Sequence, residues 1–360
     1  MARGISSSGD VLRTLSDGTD LNQLWGEFTT TLDLANAQRS ALVDLFTFRT
    51  TAKGETVLQS PSGTSDFEEA SEYGVPQSLR AESATLPLGY TFRWFDLATR
   101  YTWKYLADAS ASQVSALHNA ALEADNRLTF KTIMSRLFSP VAAVNEDQTA
   151  VYGLWNGTDG QAPPPHYGNT FDPTHTHYLT SGTATLDPGD VELLTETVRE
   201  HGYGDGDGQQ LVILAHPSQV DVIAGWRAGV LGAKFDFIPS DSAPAYLTAE
   251  TLVGNRPPSS YQGLPVRGSY GRAYIVESPL MPSAFLVSLA TGGSNADRNP
   301  IALREHTSPT LQGLTIVRGP VPDYPIIDAY YVHGLGAGTR HRSAAAVMQI
   351  TAGAYAAPSF

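Results

Sequence analysis

Apolar side chains recur at mostly three- and four-residue steps through Leu21, Leu24, Phe28, Leu32, Ala35, Leu42 and Leu45, which predicts a helix over about 21–44. The period then shortens to two. Residues 45–50 read as a strand, Ala52-Lys53-Gly54-Glu55 as a turn, and residues 56–59 as the returning strand. After a polar stretch, Leu86, Leu88, Tyr90, Phe92 and Trp94 alternate, giving a strand with one apolar face. Residues 45–96 therefore form a long two-stranded excursion. A hairpin alone is marginal in water, so this one needs a surface to lie on, in its own chain or a neighbouring one.

Residues 111–138 carry the clearest helical pattern. Ser110 and Gln113 make a capping box, Val114, Leu117, Ala121, Ala124 and Leu128 form a stripe continued by Phe130, Ile133 and Leu137, and Pro140 marks the stop. Such a helix is about 42 Å long, longer than a small domain is wide. Residues 141–185 read as irregular. Asp187 then caps a helix with Pro188 at its first position and Gly202 past its end. Residues 211–215 read as a buried strand, Pro217 opens a short helix to about Trp226, and strands are expected at 264–269, 272–277 and 284–289. Beyond about 308 the pattern is strand again, at 314–318, 326–332 and 345–350, with Gly334-Leu335-Gly336-Ala337-Gly338 read as a glycine turn. The fold class is α+β.

Composition narrows the function. The 360 residues include 41% hydrophobic but only 16% charged ones, below the roughly 25% of an average soluble domain, as expected of a chain that buries surface against other chains. The net charge of −13 argues against a general nucleic-acid binder. The absence of cysteine excludes disulfides, thiolate zinc sites and a cysteine nucleophile. The N-terminal residues lack the apolar core of a signal peptide, and no apolar run approaches the roughly 18 residues of a membrane span.

Motifs for chemistry are weak throughout. His166, Asp172, His175 and His177 could offer metal ligands, but no helical pair fixes them, and they are read as a polar loop whose histidines satisfy backbone groups. Gly204-Asp205-Gly206-Asp207-Gly208 lacks the later glutamate of a calcium loop. The glycines at 334, 336 and 338 lack the helix and distal acid of a dinucleotide site. Glu68, Glu69 and Glu72 could supply the acid pair of a hydrolase, yet they sit in a polar excursion where a solvated or interface role fits better. No catalytic, cofactor-binding or metal-binding residue is assigned, and the chain is expected to be no enzyme.

The order of elements resembles the major capsid proteins of tailed bacteriophages, the Hong Kong 97-type fold, over about residues 21–352. The segments that carry the resemblance are 101–110 running into Leu122–Arg127, which looks like the family's spine helix; 174–179, similar to a segment in coats of actinobacterial phages; 201–204; and Gly334–Gly338 leading to 344–350. The preponderance of Arg over Lys, 19 to 4, with abundant Ala and Gly, fits a GC-rich genome. The resemblance implies an N-arm at 1–44, an E-loop at 45–96, a P-domain at 97–186 with spine helix 111–138 and return strands at 308–360, and an A-domain at 187–307. The sequence leaves open whether the last strand rejoins the A-domain.

The resemblance also implies self-assembly through hexameric and pentameric capsomers into an icosahedral shell around double-stranded DNA, held only non-specifically. Expected partners are a separate scaffolding protein, a portal and a decoration protein, with no membrane. The place is the virion, after assembly in the bacterial host cytoplasm. An encapsulin-type compartment shell is the alternative that shares the fold. Expected contacts between subunits are Glu68, Glu69, Glu72, Tyr90, Phe92, Trp94, Arg340 and Arg342. Some relatives join an E-loop lysine to a P-domain asparagine. Lys53, expected near the E-loop tip, is the only lysine there, and 308–360 hold no asparagine, so no such cross-link is expected.

Overall fold

Two β-sheets organise the chain, and one long helix runs across both. The computed structural model describes residues 14–37, 41–58, 69–70, 72–75, 85–206, 208–241, 256–318 and 326–360. The first half contains α1 (Leu21–Ala37), α2 (Ala41–Phe46), β1 (Thr47–Thr50), β2 (Gly54–Leu58), β3 (Thr85–Gly89), β4 (Arg93–Thr102), α3 (Trp103–Asp108) and α4 (Ala111–Phe138). Short strands β5 (Ala143–Val144), β6 (Ala150–Val151) and β7 (Tyr178–Thr180) punctuate a stretch that reads as irregular in sequence. Then come α5 (Pro188–Arg199), β8 (Gln210–Ala215), α6 (Pro217–Ala224), β9 (Phe237–Pro239), β10 (Ser260–Tyr261), β11 (Leu264–Tyr270), β12 (Ala273–Glu277) and β13 (Phe285–Thr291). The chain closes with β14 (Ile301–Glu305), β15 (Leu314–Arg318), β16 (Ile326–Thr339) and β17 (Ala345–Gln349).

The larger sheet runs β10-β11-β12-β8-β13-β17-β7, with β9 on β11. Both of its faces are covered, and period two divides the side chains between them. Val212, Leu214, Val287, Leu289, Ala345 and Val347 pack with α2 and the last two turns of α4. Leu211, Ile213, Ala215, Leu286, Ala346 and Met348 pack with α5 and α6. Burial on both sides is why residues 211–215 form an uninterrupted apolar run rather than an alternating one.

Helix α4 changes partners along its length. Its Val114 joins a cluster with Leu24 and Phe28 of α1, and Ala121 joins one with Leu32 of α1 and Tyr331 of β16. Its far end, Phe130, Ile133, Met134, Leu137 and Phe138, enters the core of the larger sheet. The start is capped as the sequence predicts, with Gln113 Oε1 accepting from Ser110 N–H at 2.9 Å and Asp17 accepting from Ala111 N–H at 2.7 Å. At the end, the buried Arg136 donates to the carbonyls of Ser139 and Val141 at 2.8 and 2.7 Å.

The smaller sheet is built on β16. Its residues pair with β4 along one edge, and with β15 and then β14 along the other, while β1 lies parallel to β14. Three sequence expectations are corrected here. The predicted helix over 21–44, described as α1 and α2 on either side of residues 38–40, runs on to Phe46 into the expected strand, because Leu42, Val43, Leu45 and Phe46 serve the larger core while Leu24 and Phe28 serve the α1–α4 cluster. Strand β1 does not pair with β2. Phe48 is buried with Tyr90 and Ala302, which draws β1 onto β14, and β2 instead pairs with β3, Gly54 opposite Gly89. That ladder puts Lys53 at the root of the hairpin rather than near its tip. Most of the connection between β2 and β3 lies outside the described residues, as do 1–13 of the N-terminal arm.

The glycine run is the third correction. Residues 334–338 are no turn but continuous strand inside β16. The 89–92 segment crosses this strand so closely that a Cβ on Gly336 would overlap the Thr91 carbonyl, one on Gly338 would meet the Tyr90 ring and the Gly89 carbonyl, and one on Gly334 would meet the Phe92 and Trp94 rings. Thr91 secures the crossing, its hydroxyl donating to Ala337 O at 2.8 Å. Gly336→Ala is therefore expected to lower stability by about 1–3 kcal/mol or more by overpacking, whereas Gly206→Ala, with open space around it, serves as control. Equal denaturant midpoints for the two variants would refute the crossing.

One buried histidine fastens α1 to α4. His118 is almost fully buried, stacks on Phe28 with ring centroids 4.3 Å apart, and meets the Tyr331 hydroxyl at 2.7 Å through Nδ1. Burial lowers its pKa below 6.5, so the unfolded chain takes up the proton first. The stabilisation is whole above the unfolded value and is lost as pH falls below it. Hydrogen exchange of α1 should accelerate between about pH 7 and pH 5 beyond the intrinsic pH effect. A His118→Gln chain should lose that excess, and a wild type without it would contradict the linkage.

Candidate functional site

The residues expected to meet a neighbouring chain fall into three groups. Glu68 lies outside the described residues. Glu69 and Glu72 are exposed, next to Tyr73 and Val75, each 93% exposed. Large apolar side chains this open, just after carboxylates, have no packing role within the described residues. On β4, Trp94 and Leu97 are about half exposed, and the strand's outer edge has no partner strand among the described residues. Phe92 is half-buried between Trp94 and His306.

Tyr90 and Arg342 are buried within the chain, which corrects their placement at an interface, while the partly exposed Arg340 is ion-paired within it. Tyr90 is wholly buried beneath the crossing, against Phe48 and Ala302. Arg340 pairs with Glu55 at 3.0 Å and with Asp297, its guanidinium 5.1 Å from the centre of the Phe48 ring. Arg342 is 3% exposed, donates to the Gly153 and Leu154 carbonyls at 3.0 and 3.2 Å, pairs with Asp159, and lies 3.9 Å above the Trp155 ring. Sequence shows the basic triplet but not that its arginines turn inward.

A further arginine, unmarked in the sequence, holds the hairpin root. Arg304 of β14 makes a two-pronged contact with Glu146 and donates to Tyr90 O at 2.9 Å. Nearby, Lys53 Nζ lies 3.2 Å from Asp147, and Asn145 Nδ2 donates to Lys53 O at 3.0 Å. The loop between β5 and β6 thus clamps the segment from which the hairpin departs.

The calcium-like turn is occupied by its own ions. Asp205 accepts from Arg199 at 2.7 and 2.9 Å and from Arg272 at 2.7 Å. Asp172 accepts from Thr174 N–H at 2.6 Å and so closes its own loop. The histidines behave differently. His175 and His177, on the approach to β7, converge with His201, which follows α5 and was not anticipated as part of a group. His201 Nε2 is 3.1 Å from His177 Nε2 and 3.0 Å from His175 Nε2, and Glu200 Oε1 is 3.4 Å from His175 Nε2. Burial holds His177 far below the ordinary histidine value and His201 down at about 3, so both rings are neutral. His166 stands apart, its ring against the backbone of Gly202. The only sequence signal for the trio was the His-x-His pair, because the third ring lies 24 residues from His177.

Among solved structures, the chain is similar to one of Mycobacterium phage Patience, with 40% identity over 99% of this chain and 96% of the other, at a TM-score of 0.75. It also shares its fold with the capsid of an empty GTA particle, at 12% identity, covering 87% of this chain and 91% of the other, TM-score 0.50. The asymmetric unit of the mature capsid of bacteriophage PhiM1 matches at 10% identity, covering 87% and 88%, TM-score 0.50. No family model and no curated protein matches.

The clamp at the hairpin root is testable. The Arg304 contact holds Glu146 at about 2, so its contribution is whole above the unfolded carboxyl value of 4.5 and fades as pH falls toward 2. Arg304→Lys removes the second prong and should lower stability by about 1–2 kcal/mol at neutral pH, the low range for a charged hydrogen bond because Glu146 is partly exposed. The difference between variant and wild type should shrink in acid. A difference independent of pH would exclude the ion pair as its cause.

Proposed function

The chain belongs to the Hong Kong 97-type major capsid proteins of tailed bacteriophages, a family of shell subunits, and from that premise we propose how its parts serve the shell. The observation that carries the reading is the 40% identity to a phage structure across nearly the whole of both chains. It favours a phage shell over an encapsulin-type compartment.

In this reading, residues 1–44 are the N-arm, 45–96 the E-loop, 97–186 and 308–360 the P-domain, and 187–307 the A-domain. The position of β17 between β13 and β7 supports giving the last strand to the A-domain sheet. Subunits assemble as hexamers and pentamers in the host cytoplasm, with a scaffolding protein, a portal and a decoration protein as partners. The function is structural and includes no catalytic step. The net charge of −13 suits a container that must let DNA phosphates slide past.

The E-loop excursion reaches a neighbouring subunit through Glu69, Glu72, Tyr73 and Val75, and β4 offers Trp94, Leu97 and the half-buried Phe92 as a second patch. Glu68 belongs with the first group. The carboxylates find arginines on the neighbour, and the apolar side chains lose their water. Asp147 and Glu146 surround Lys53 with carboxylates of its own chain, and no covalent cross-link forms.

The test is electron microscopy of the expressed chain, alone and with a scaffolding protein. Shells, tubes or capsomer rings are expected, with a single-chain band on denaturing gels. Tyr73→Asp with Val75→Asp should leave circular dichroism unchanged and cut particle yield at least about tenfold, the effect of losing about 1.4 kcal/mol per contact. Unchanged yield would remove the E-loop patch from the interface. An isopeptide ladder would overturn the absence of cross-linking.

A further inference from the structure

The three converging imidazoles are hard to account for as hydrogen-bonded partners. His177 Nδ1 lies 2.7 Å from the Ala345 carbonyl, so its proton is there and its Nε2 carries a lone pair. His201 Nε2 touches that lone pair at 3.1 Å and His175 Nε2 at 3.0 Å. It holds either one proton or one lone pair. As a lone pair it faces the His177 lone pair, which is repulsive. As N–H it must divide one proton between two acceptors. Protonating His175 does not help, because its proton would then need a lone pair on His201. The surroundings offer no water-rich escape, since His177 is fully buried and His201 nearly so, with Phe171 4.0 Å from the His201 ring centre.

We propose that His175, His177 and His201 bind one divalent transition-metal ion of the zinc class through their Nε2 atoms, with the Glu200 carboxylate or a water as fourth ligand. Three neutral imidazoles with a hard oxygen donor suit zinc, which takes four ligands in a tetrahedron. Nitrogens bound to zinc at 2.0–2.1 Å are about 3.3–3.4 Å apart, so the two contacts at His201 need only a few tenths of an ångström of opening, and all three ligand atoms lie within 4.8 Å of one another. Glu200 Oε1, 3.4 Å from His175 Nε2 and 3.9 Å from His201 Nε2, is spaced like a further vertex. The Ala345 carbonyl supplies the outer hydrogen bond that sets the tautomer and orientation of His177. His175, partly exposed, leaves a path to solvent.

The ion would staple three separate pieces. His175 and His177 belong to the loop that leads into β7, His201 and Glu200 to the end of α5, and Ala345 begins β17. Strand β7 is a three-residue edge of the larger sheet, and β17 is its one partner strand among the described residues. The metal would therefore secure one short edge of that sheet. It does not depend on the assembly interface.

The experiment uses the untagged full-length chain, stripped with EDTA, dialysed and titrated with zinc chloride against a competing chelator. One tightly bound ion per chain is expected, with X-ray absorption showing an imidazole-rich shell at about 2.0–2.1 Å. His175→Ala, at the most exposed ligand, should weaken zinc at least about tenfold while leaving circular dichroism unchanged, and His201→Ala should abolish binding. Zinc should raise the unfolding midpoint of the wild type by at least about 2 °C and leave the His175→Ala chain unmoved. A stripped, folded wild type that takes up no zinc overturns the proposal. So does zinc uptake that survives both substitutions, which would place the ion elsewhere.

Discussion

Strand β16 is the constraint on which the rest of the molecule depends. Fourteen residues pair with β4 on one side and with β15 and β14 on the other, while the 89–92 segment crosses its far end. That arrangement needs a backbone with nothing standing on one face. Alternate glycines at 334, 336 and 338 provide it, because strand side chains alternate and every second position faces the crossing. Gly is costly inside a strand unless another backbone approaches closely, and here one does. The Tyr90 ring, the Thr91 backbone and the Phe92 and Trp94 rings then fill the space that three side chains would have taken.

Arginine provides the second level of organisation. Arg136, Arg304, Arg340 and Arg342 all point inward, toward carbonyls, carboxylates and aromatic faces. The planar guanidinium can satisfy several acceptors at once and stack on a ring, which lysine cannot do. A chain with 16% charged residues thus spends four of its 23 lysines and arginines on internal bracing. That use fits a subunit whose outer faces meet other copies of itself and whose inner face meets phosphate.

Legibility from sequence followed the range of the deciding interaction. The limits of α4 and α5 were readable because caps and apolar period are local: Ser110, Gln113 and Asp187 act within one turn. Residues 211–215 were readable because burial on both faces leaves an unbroken apolar run. The turn expected at 52–55 lies at 51–53, with Gly54 and Glu55 already in β2, and the strands flanking it do not pair, since Phe48 chooses β14 through Ala302 far along the chain. The glycine run misled because the sequence shows missing side chains and not the 89–92 segment that crosses them. Tyr90 followed the alternation yet faces its own chain, and His201 met His177 only through the fold. The resemblance to capsid proteins supplied the family, which no motif of chemistry could have done.

The place of β17 bears on how the subunit comes into being. Residues 345–349 sit between β13 and β7, and β7 has no other neighbouring strand among the described residues. The larger sheet therefore joins strands whose sequence separations reach well over a hundred residues. Closing such loops is slow compared with forming local helices. A nascent chain can shape α4 and α5 early but cannot complete this sheet until residue 349 has been made. Until then the apolar faces of β8 and β13 lack part of their cover. Subunits that associate before that moment would do so through surfaces meant for the interior. The topology thus sets an order of events, with residue 349 made and the sheet closed before productive association begins.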